Sequence, residues 1–433
     1  MVKYESIAKK ILSLAKQKGA DDAYCYVLET ETSEFNVEGN EFSLFRTLFA
    51  RKISLTLFID GKKGSVGINK FDDEEIVKAV DDCIDVAKSA TPDKDWELAR
   101  DNGKKHFCDG VIKPDTEKLF FRSKELLEDI KARHPLIIIE QMIVMHKSCK
   151  GVYMSTTGNE YYIEEGRYLA ELVYSAHEGE KATSFYSSDV TLCDLDKPFI
   201  ECAMIERDLT DIENQINSTA TRNKFEGTVI FTPACLAGTV FGNVCGNFAS
   251  DSALLDGTSV WKDKLGEQVA DERITVSFKP SDERIVCGTR FSGEGYLAED
   301  FDFIKNGKLN SFLISQYVAN KTGNKRAPNN SFSLIIEAGE TPLSEMIKKV
   351  ERGVIIGRFS GGSPGANGEF SGVAKNGFMI ENGKITTALS ETMISGNLAD
   401  MLFNIYFGLY FLLGYKIFKF INTIIFMFPT ITG

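Results

Sequence analysis

Apolar and polar residues follow two different periods in different parts of this chain. Residues 3–18 and 72–87 carry apolar side chains at helical spacing, which predicts two amphipathic helices. Between them, residues 23–31, 34–49 and 52–70 are rich in alternating apolar positions, which predicts three strands. Strands grouped between helices are typical of an α+β fold rather than of a doubly wound α/β fold.

The central part of the chain continues this pattern. The polar stretch 91–110 predicts a linker, after which Asp115 is placed to cap a helix that runs to Arg133. The apolar run 136–144 predicts a strand that begins an antiparallel meander, and residues 199–218 predict a helix. Strand and turn patterns dominate the remainder of the chain.

These patterns predict three domains built from antiparallel sheets with flanking helices. The domains are an N-terminal α+β domain at residues 1–105, a central α+β domain at 106–222 and a β-rich C-terminal domain at 223–433, of which 402–433 form an atypical tail. A chain of 433 residues is long enough for two or three domains that each bury a core.

The composition indicates an ordinary globular protein and excludes several kinds of site. The chain is 43% apolar and 26% charged, and a net charge of −12 without a basic cluster argues against nonspecific nucleic-acid binding. Its nine cysteines are scattered and never form a Cys-x-x-Cys pair, so neither a disulfide framework nor a thiolate zinc knot is indicated. The N-terminus has no apolar signal-peptide core, and the expected location is the cytoplasm.

The most distinctive stretch lies towards the C-terminus. Glu381-Asn382-Gly383-Lys384 stands between two apolar runs, which predicts a hairpin with a type I′ turn. Upstream, residues 360–372 contain so many glycines that the backbone must turn tightly or lie close to another group. An ordinary surface loop is one interpretation. The other is a loop that approaches a substrate or partner, formed by Ser360, Gly361, Gly362, Gly365, Gly368, Ser371 and Gly372.

The same stretch resembles a known family. The run GEFSGVAKNGFMIENGKI at 368–385, followed by Ser390-Glu391 and by SGNLADM at 395–401, resembles the TldD/PmbA proteins, once called modulators of DNA gyrase. Asn306-Gly307 and residues 321–326 fall where that family has an Asn-Gly turn and a Thr-Gly-Asn element. The resemblance in layout covers most of residues 1–402 and is most specific in the C-terminal half.

Missing histidines decide what the resemblance implies about metal. In TldD-like members a His-Glu-x-x-x-His helix that binds zinc opens the C-terminal domain, and by order along the chain it corresponds to residues 232–242. Neither histidine nor glutamate occurs there. The resemblance therefore favours the PmbA (TldE) branch, which lacks the motif and pairs with a TldD-like subunit. It implies no cofactor in this chain, with zinc and the catalytic residues in the partner.

Other candidate ligands and nucleophiles are weaker. A zinc-protease helix needs two histidines on one face beside a glutamate base, and His177-Glu178 begins that pattern without completing it. Cys235 and Cys245 have no histidine near them in sequence to act as a base, so buried structural thiols are the preferred interpretation. The remaining histidines, which lack metal-ligand spacing, are His106, His134 and His146.

The last residues differ from the rest of the chain. From Met401 to Gly433 there are ten aromatic residues, two lysines and no acid. We prefer a reading-frame shift in an AT-rich gene, because the commonest residue types here have A/T-only codons and the family-like pattern ends near Leu402. A pair of core strands is the second explanation. A membrane anchor is the third, although each apolar run is shorter than the ~20 residues needed to span a bilayer.

The sequence as a whole favours one function and leaves an alternative. We interpret the chain as a non-metal subunit of a TldD/PmbA-type peptidase complex that acts on unfolded or short peptides. Its partner would be a TldD-like subunit in a heterodimer or a second copy in a homodimer. The alternative is a non-enzymatic, homodimeric binding or assembly protein. Neither nucleic-acid binding nor membrane association is favoured.

Overall fold

The chain folds into sheets with helices packed against them. A computed structural model describes residues 1–404, except positions 222, 332, 340 and 391, and the backbone of residues 425–432. The strands within these residues form three sheets, in which nearly all neighbouring strands run antiparallel. The predicted α+β class with antiparallel sheets is confirmed.

The first sheet has eight strands. Its core order is β3-β2-β1-β5-β6-β4, and β7 and β8 also pair with β6. Because β1 and β5 pair along most of their length, this one sheet includes strands from both the predicted N-terminal and the predicted central domain. The strands are β1 (Asp22–Glu38), β2 (Glu41–Ile59), β3 (Lys62–Ile68), β4 (Gly103–Gly110), β5 (Ile137–Ser155), β6 (Asn159–Glu178), β7 (Lys181–Ala182) and β8 (Tyr186–Leu192).

Four helices cover the first sheet in two groups. Their bounds are α1 (Val2–Gln17), α2 (Asp73–Ser89), α3 (Thr116–Arg133) and α4 (Ile205–Asn214). The apolar stripes of α1 and α2 lie in one buried cluster with the start of β1, and those of α3 and α4 lie in a second. The side chains of Asp72 and Asp115 accept hydrogen bonds from backbone N–H groups in the first turns of α2 and α3, so the predicted starts of both helices are confirmed.

Three predictions in this part of the chain are wrong. The strands predicted at 23–31 and 34–49 are divided differently, because β1 continues to Glu38 and β2 begins at Glu41. The supposed linker contains β4, an edge strand that runs parallel to β6, and most of its residues are exposed. An exposed strand has no apolar alternation, which is why its pattern suggested a linker. The predicted helix 199–218 is broken into Phe199–Glu201, α4 and Gln215–Asn217.

The helix α4 contains a half-buried carboxyl group that should make stability depend on pH. Burial raises the pKa of Asp208 to about 7, although the Ser188 hydroxyl donates a hydrogen bond to it at 2.9 Å. An unfolded aspartate loses its proton near pH ~4. Between these values the native state therefore holds a proton that the unfolded state has released, and the free energy of unfolding falls as pH rises.

We expect Asp208→Asn to remove that loss. Relative to the wild type, the free energy of unfolding of the variant should increase from about pH 4 to about pH 7 and level off above it. Urea unfolding of both proteins across this range measures the difference. Parallel pH profiles would show that Asp208 does not titrate in this way.

The C-terminal part contains the other two sheets. The four-stranded second sheet has the order β12-β11-β10-β13, and the third sheet contains β9 and β14–β18. The strands are β9 (Phe225–Phe231), β10 (Val276–Phe278), β11 (Phe301–Lys305), β12 (Lys308–Leu309), β13 (Leu334–Ile336), β14 (Arg352–Ser360), β15 (Glu369–Glu381), β16 (Lys384–Leu389), β17 (Thr392–Asn397) and β18 (Ile425–Thr432). The helical elements are α5 (Pro233–Cys235), α6 (Gly242–Val244), α7 (Asp251–Leu255), α8 (Gln316–Thr322), α9 (Leu343–Lys348) and α10 (Leu398–Met401), with π-helical Leu236–Phe241 and Cys245–Ala249.

The third sheet closes on itself. Strand β14 pairs with β9 and β15, β15 pairs with β17, β17 pairs with β18, and β18 pairs with β9. The hairpin from β15 to β16 extends beyond this ring, and its turn has φ of 50° at Asn382 and 75° at Gly383. Two successive positive φ angles are the signature of the predicted type I′ turn, which is confirmed.

Part of the atypical tail lies outside the described residues. The backbone of β18 is a strand between β9 and β17, as the core-strand explanation expects, whereas residues 405–424 are not described. Among the residues that the structure describes, no helix is both long and apolar enough to cross a membrane. A reading-frame shift concerns the gene and stays a hypothesis.

Candidate functional site

The site begins with the helix that follows β9. We call residues 233–249 the mixed helix, because α5 and α6 alternate in it with the two π-helical segments. Pro233 occupies its first turn, where a missing N–H group costs nothing, and the Thr232 hydroxyl donates to the Gly357 carbonyl of β14 at 3.2 Å. This anchors the start of the mixed helix to the closed sheet.

Wider helical turns change which side chains lie above one another. In a π-helix the hydrogen bonds join residues five apart, and such turns frequently occur at functional sites. Leu236 and Phe241, at the ends of the first π-helical segment, are five apart and completely buried in the core. Two histidines with the spacing of His-Glu-x-x-x-His would share one face of this same geometry.

A glycine loop, residues 361–368, joins β14 to β15 beside the mixed helix. Gly361, Gly362 and Gly368 have φ between 51° and 84°, a region that L side chains rarely adopt. Ser360 ends β14, and Ser371 and Gly372 lie in β15. The predicted loop residues are therefore contiguous in space, with five of the seven in the loop or at its edge and two in the adjoining strand.

The glycines of the loop serve different purposes. A Cβ atom at Gly362 would lie 1.5 Å from the Ser371 carbonyl oxygen, and one at Gly372 would lie 2.4 Å from the Phe359 ring. Gly368 is close to the Asn397 side chain. At Gly361 a Cβ would meet nothing within 4 Å, and at Gly365 it would approach only the Asn367 side chain at 3.2 Å. Within the described residues, Gly361 and Gly365 thus leave the backbone open to another molecule.

A side chain in place of Gly361 or Gly365 should therefore cost the fold little, whereas one in place of Gly362 should disturb it. That glycine packs against the carbonyl of its own hairpin. Whether the open positions approach a substrate or a partner stays a prediction.

Two asparagines hold the loop in place. The Asn247 side-chain amide of the mixed helix donates to the Pro364 carbonyl at 2.8 Å. The Asn397 amide, at the end of β17, donates to the Asn367 carbonyl at 3.0 Å. The loop is consequently fixed to a helix on one side and to the sheet on the other, as a binding loop on a rigid scaffold requires.

An apolar pocket lies between the mixed helix and the glycine loop. The Phe359 and Phe370 rings form one wall, with their centroids 5.6 Å apart in an edge-to-face arrangement. With a cavity volume of about 20 Å³, the pocket can accept only a small apolar side chain, and the adjoining loop offers main-chain groups beside it. The residues that line the pocket are Phe231, Thr239, Val240, Phe359, Pro364, Phe370, Leu398 and Met401.

Comparison with known families decides what this architecture is. Residues 225–407 match the PmbA/TldA metallopeptidase C-terminal domain, and residues 23–87 match PmbA/TldA metallopeptidase domain 1. Together the two matches cover more than half of the chain. The chain belongs to the PmbA/TldD family.

Individual members of the PmbA/TldD family agree with this assignment. Metalloprotease PmbA of Escherichia coli O157:H7 is 24% identical over 404 residues, which are 87% of this chain and 82% of that protein. TldE from Thermococcus kodakarensis has the same fold, with a TM-score of 0.84 at 19% identity over 99% of this chain and 100% of that one. A putative modulator of DNA gyrase from Bacteroides thetaiotaomicron gives a TM-score of 0.85 at 20% identity, over 99% and 98% of the two chains.

The residues of this PmbA/TldD family member do not fit a zinc ion at the mixed helix. Its donor set contains thiol, hydroxyl and amide groups but no imidazole or carboxylate, the ligands that a catalytic zinc requires. In the part of the chain that the structure describes, no three His, Cys, Asp or Glu side chains are grouped so that they could hold a metal ion. We therefore derive no reaction step through a metal on this chain.

The four histidines lie apart, and each has a structural neighbour. The His177 ring is 2.9 Å from the Ser175 hydroxyl at the end of β6, and the His146 ring is 2.6 Å from the Val111 carbonyl. His134 contacts the Glu213 carboxylate at 3.0 Å, and His106 stacks on the Tyr162 ring. His177-Glu178 leads into the β6–β7 hairpin rather than a helix.

The two cysteines in the mixed helix are unsuited to act as nucleophiles. Burial raises the pKa of the Cys235 thiol to about 12 and that of the Cys245 thiol to about 12. A thiol in that state is protonated near neutral pH and reacts poorly. Cys235 is buried, as expected for a structural thiol, whereas Cys245 is half-buried.

Most of the pocket could not be predicted from the sequence. Thr239 and Val240 belong to a helix that was located only by its order along the chain, and Met401 lies at the end of the family-like pattern. Alternation could have shown that Phe359 and Phe370 flank the glycine loop, but not that their rings meet across it.

Proposed function

We propose that this chain is the subunit without a metal site in a TldD/PmbA-type metallopeptidase complex that cleaves unfolded or short peptides. Its partner would be a TldD-like subunit that supplies the zinc and the catalytic residues. A zinc ion polarises the peptide carbonyl and activates water. This chain would bind and orient the peptide beside that centre.

The mixed helix is the observation that carries the proposal. It lies where TldD-like members are expected to carry His-Glu-x-x-x-His and has a π-helical segment suited to residues five apart, yet buried Leu236 and Phe241 occupy such positions. This chain belongs to a family of metallopeptidases and has this geometry but lacks the ligands. That combination is consistent with a pair of related subunits of which only one binds metal.

The apolar pocket and the glycine loop support a role in peptide binding. We infer that the pocket takes an apolar side chain, while the open backbone at Gly361 and Gly365 lies along the extended peptide. Main-chain hydrogen bonds of this kind depend little on the side chains of the peptide, which suits a peptidase for unfolded substrates. We also place the complex in the cytoplasm, because all nine cysteines are free.

A reconstitution assay tests the proposal. We expect the purified chain alone to leave an unfolded peptide intact and a mixture with a TldD-like subunit to cleave it in a chelator-sensitive manner. The matched sample is the TldD-like subunit alone, which should cleave more slowly than the mixture. Chelator-sensitive cleavage by this chain alone would contradict the assignment.

A further inference from the structure

The outer edge of β2 carries an exposed apolar surface. Strand β3 covers only residues 53–59 of β2, and no strand described within residues 1–404 or 425–432 pairs with the outer side of residues 41–51. We call residues 41–51 the open edge. Phe45 and Phe49 are 55% and 71% exposed there, and Leu44 and Leu48 are more than 40% exposed.

The interior of the open edge has little of the usual protection against pairing. Natural edge strands are commonly interrupted by proline or protected by several charges. The charged residues of the open edge are Glu41 and Arg51 at its ends and Arg46 at its centre, and proline is absent. The Arg46 guanidinium is itself bonded to the buried Glu34 carboxylate at 2.5 Å, which reduces its effect as a repulsive charge.

The open edge is also held in a fixed shape. The Phe45 ring lies 5.3 Å from Phe35 on β1 and 5.7 Å from Phe120 on α3, measured between centroids. Residues 41–51 pair with β1 along their inner side, apart from a bulge next to Phe42. A preorganised strand loses little conformational entropy on binding.

We propose that the open edge pairs antiparallel with the open edge of a second copy of this chain, so that two first sheets join into one. The sequence EFSLFRTLFAR is nearly self-complementary about Arg46. Pairing about a two-fold axis at that residue places Leu44 opposite Leu48, Phe45 opposite Thr47, and Glu41 opposite Arg51. Apolar and oppositely charged cross-strand pairs stabilise such a ladder.

The two Arg46 side chains would face each other at the axis. Each is already paired with Glu34 of its own copy, so the like charges at the centre are neutralised. The proposed pairing uses a strand of the first sheet, which shares no residue with the mixed helix, and does not depend on the proposed function.

Sedimentation or light scattering across a concentration series tests the pairing. The full-length chain should have twice the 48.1 kDa of one chain. Leu48→Lys combined with Phe49→Lys should raise the dissociation constant of the dimer by about 100-fold or more without lowering the melting temperature. Phe121→Lys is the matched control, because Phe121 is 60% exposed but lies on α3 rather than on the edge.

Three results would overturn the inference. One is a wild-type chain that keeps the mass of a single copy throughout the series. The second is a folded Leu48→Lys, Phe49→Lys variant that dimerises like the wild type; if that variant unfolds, the single change Leu44→Lys replaces it. The third is a wild-type monomer whose complex with a TldD-like subunit is lost in the variant, which would assign the open edge to that subunit.

Discussion

Replacing Gly362 with alanine should destabilise the protein more than any other single change in the glycine loop. The new Cβ would lie 1.5 Å from the Ser371 carbonyl oxygen, far inside contact distance, so the hairpin between β14 and β15 would have to open. The residue would also keep a φ of 51°, which costs an L side chain roughly 1 kcal/mol. We expect a total loss of about 3 kcal/mol or more in the free energy of unfolding.

Two neighbouring glycines separate these contributions. At Gly361 φ is 70°, but an added Cβ would meet no atom within 4 Å. Gly361→Ala should therefore lower the free energy of unfolding by only about 1 kcal/mol. Gly365→Ala has neither a positive φ nor a close backbone atom and should be nearly neutral. Chemical unfolding of the three variants measures the series. Equal losses at Gly361 and Gly362 would show that the hairpin adjusts to the added methyl group.

The second large effect is expected on activity rather than on stability. Thr239 is half-buried on the wall of the apolar pocket, and Thr239→Trp would fill the pocket from the mixed helix. If the pocket takes a side chain of the peptide, kcat/KM of the reconstituted complex should fall by about tenfold or more. The change should appear mainly as a higher KM, because filling the pocket weakens binding of the substrate.

Ala237→Trp provides the matched control for this experiment. Ala237 lies two residues away on the same helix, is exposed and does not line the pocket. Its replacement should leave kcat/KM and the melting temperature close to the wild type. Equal activity of the Thr239 variant and the wild type would exclude the pocket from substrate binding.

Local sequence rules predicted the elements that local interactions determine. The start of a helix at Asp72, the cap at Asp115 and the turn at Asn382-Gly383 follow from residues next to one another in the chain, and all three are confirmed. The family resemblance likewise rested on the run at 368–385, which forms the loop end and β15.

Long-range contacts explain what the sequence could not show. Strand β4 pairs with a strand more than fifty residues away, and its exposed surface gives no alternation to recognise. The π-helical segments follow no residue pattern that could be used in advance, since Leu, Ala, Thr, Val and Phe also occur in ordinary helices and strands. The apolar pocket combines side chains from four separate segments, so it exists only in the folded chain.

Elemental analysis of metal tests the central claim most directly. We predict that the full-length chain, purified alone after exposure to zinc and dialysis, retains far less than one zinc per chain, whereas its complex with a TldD-like subunit holds about one zinc per pair. The mixed helix offers no imidazole or carboxylate for such a site. About one zinc per chain in the isolated protein, together with cleavage of an unfolded peptide, would contradict the account, and His177 with Glu178 would be the first residues to replace.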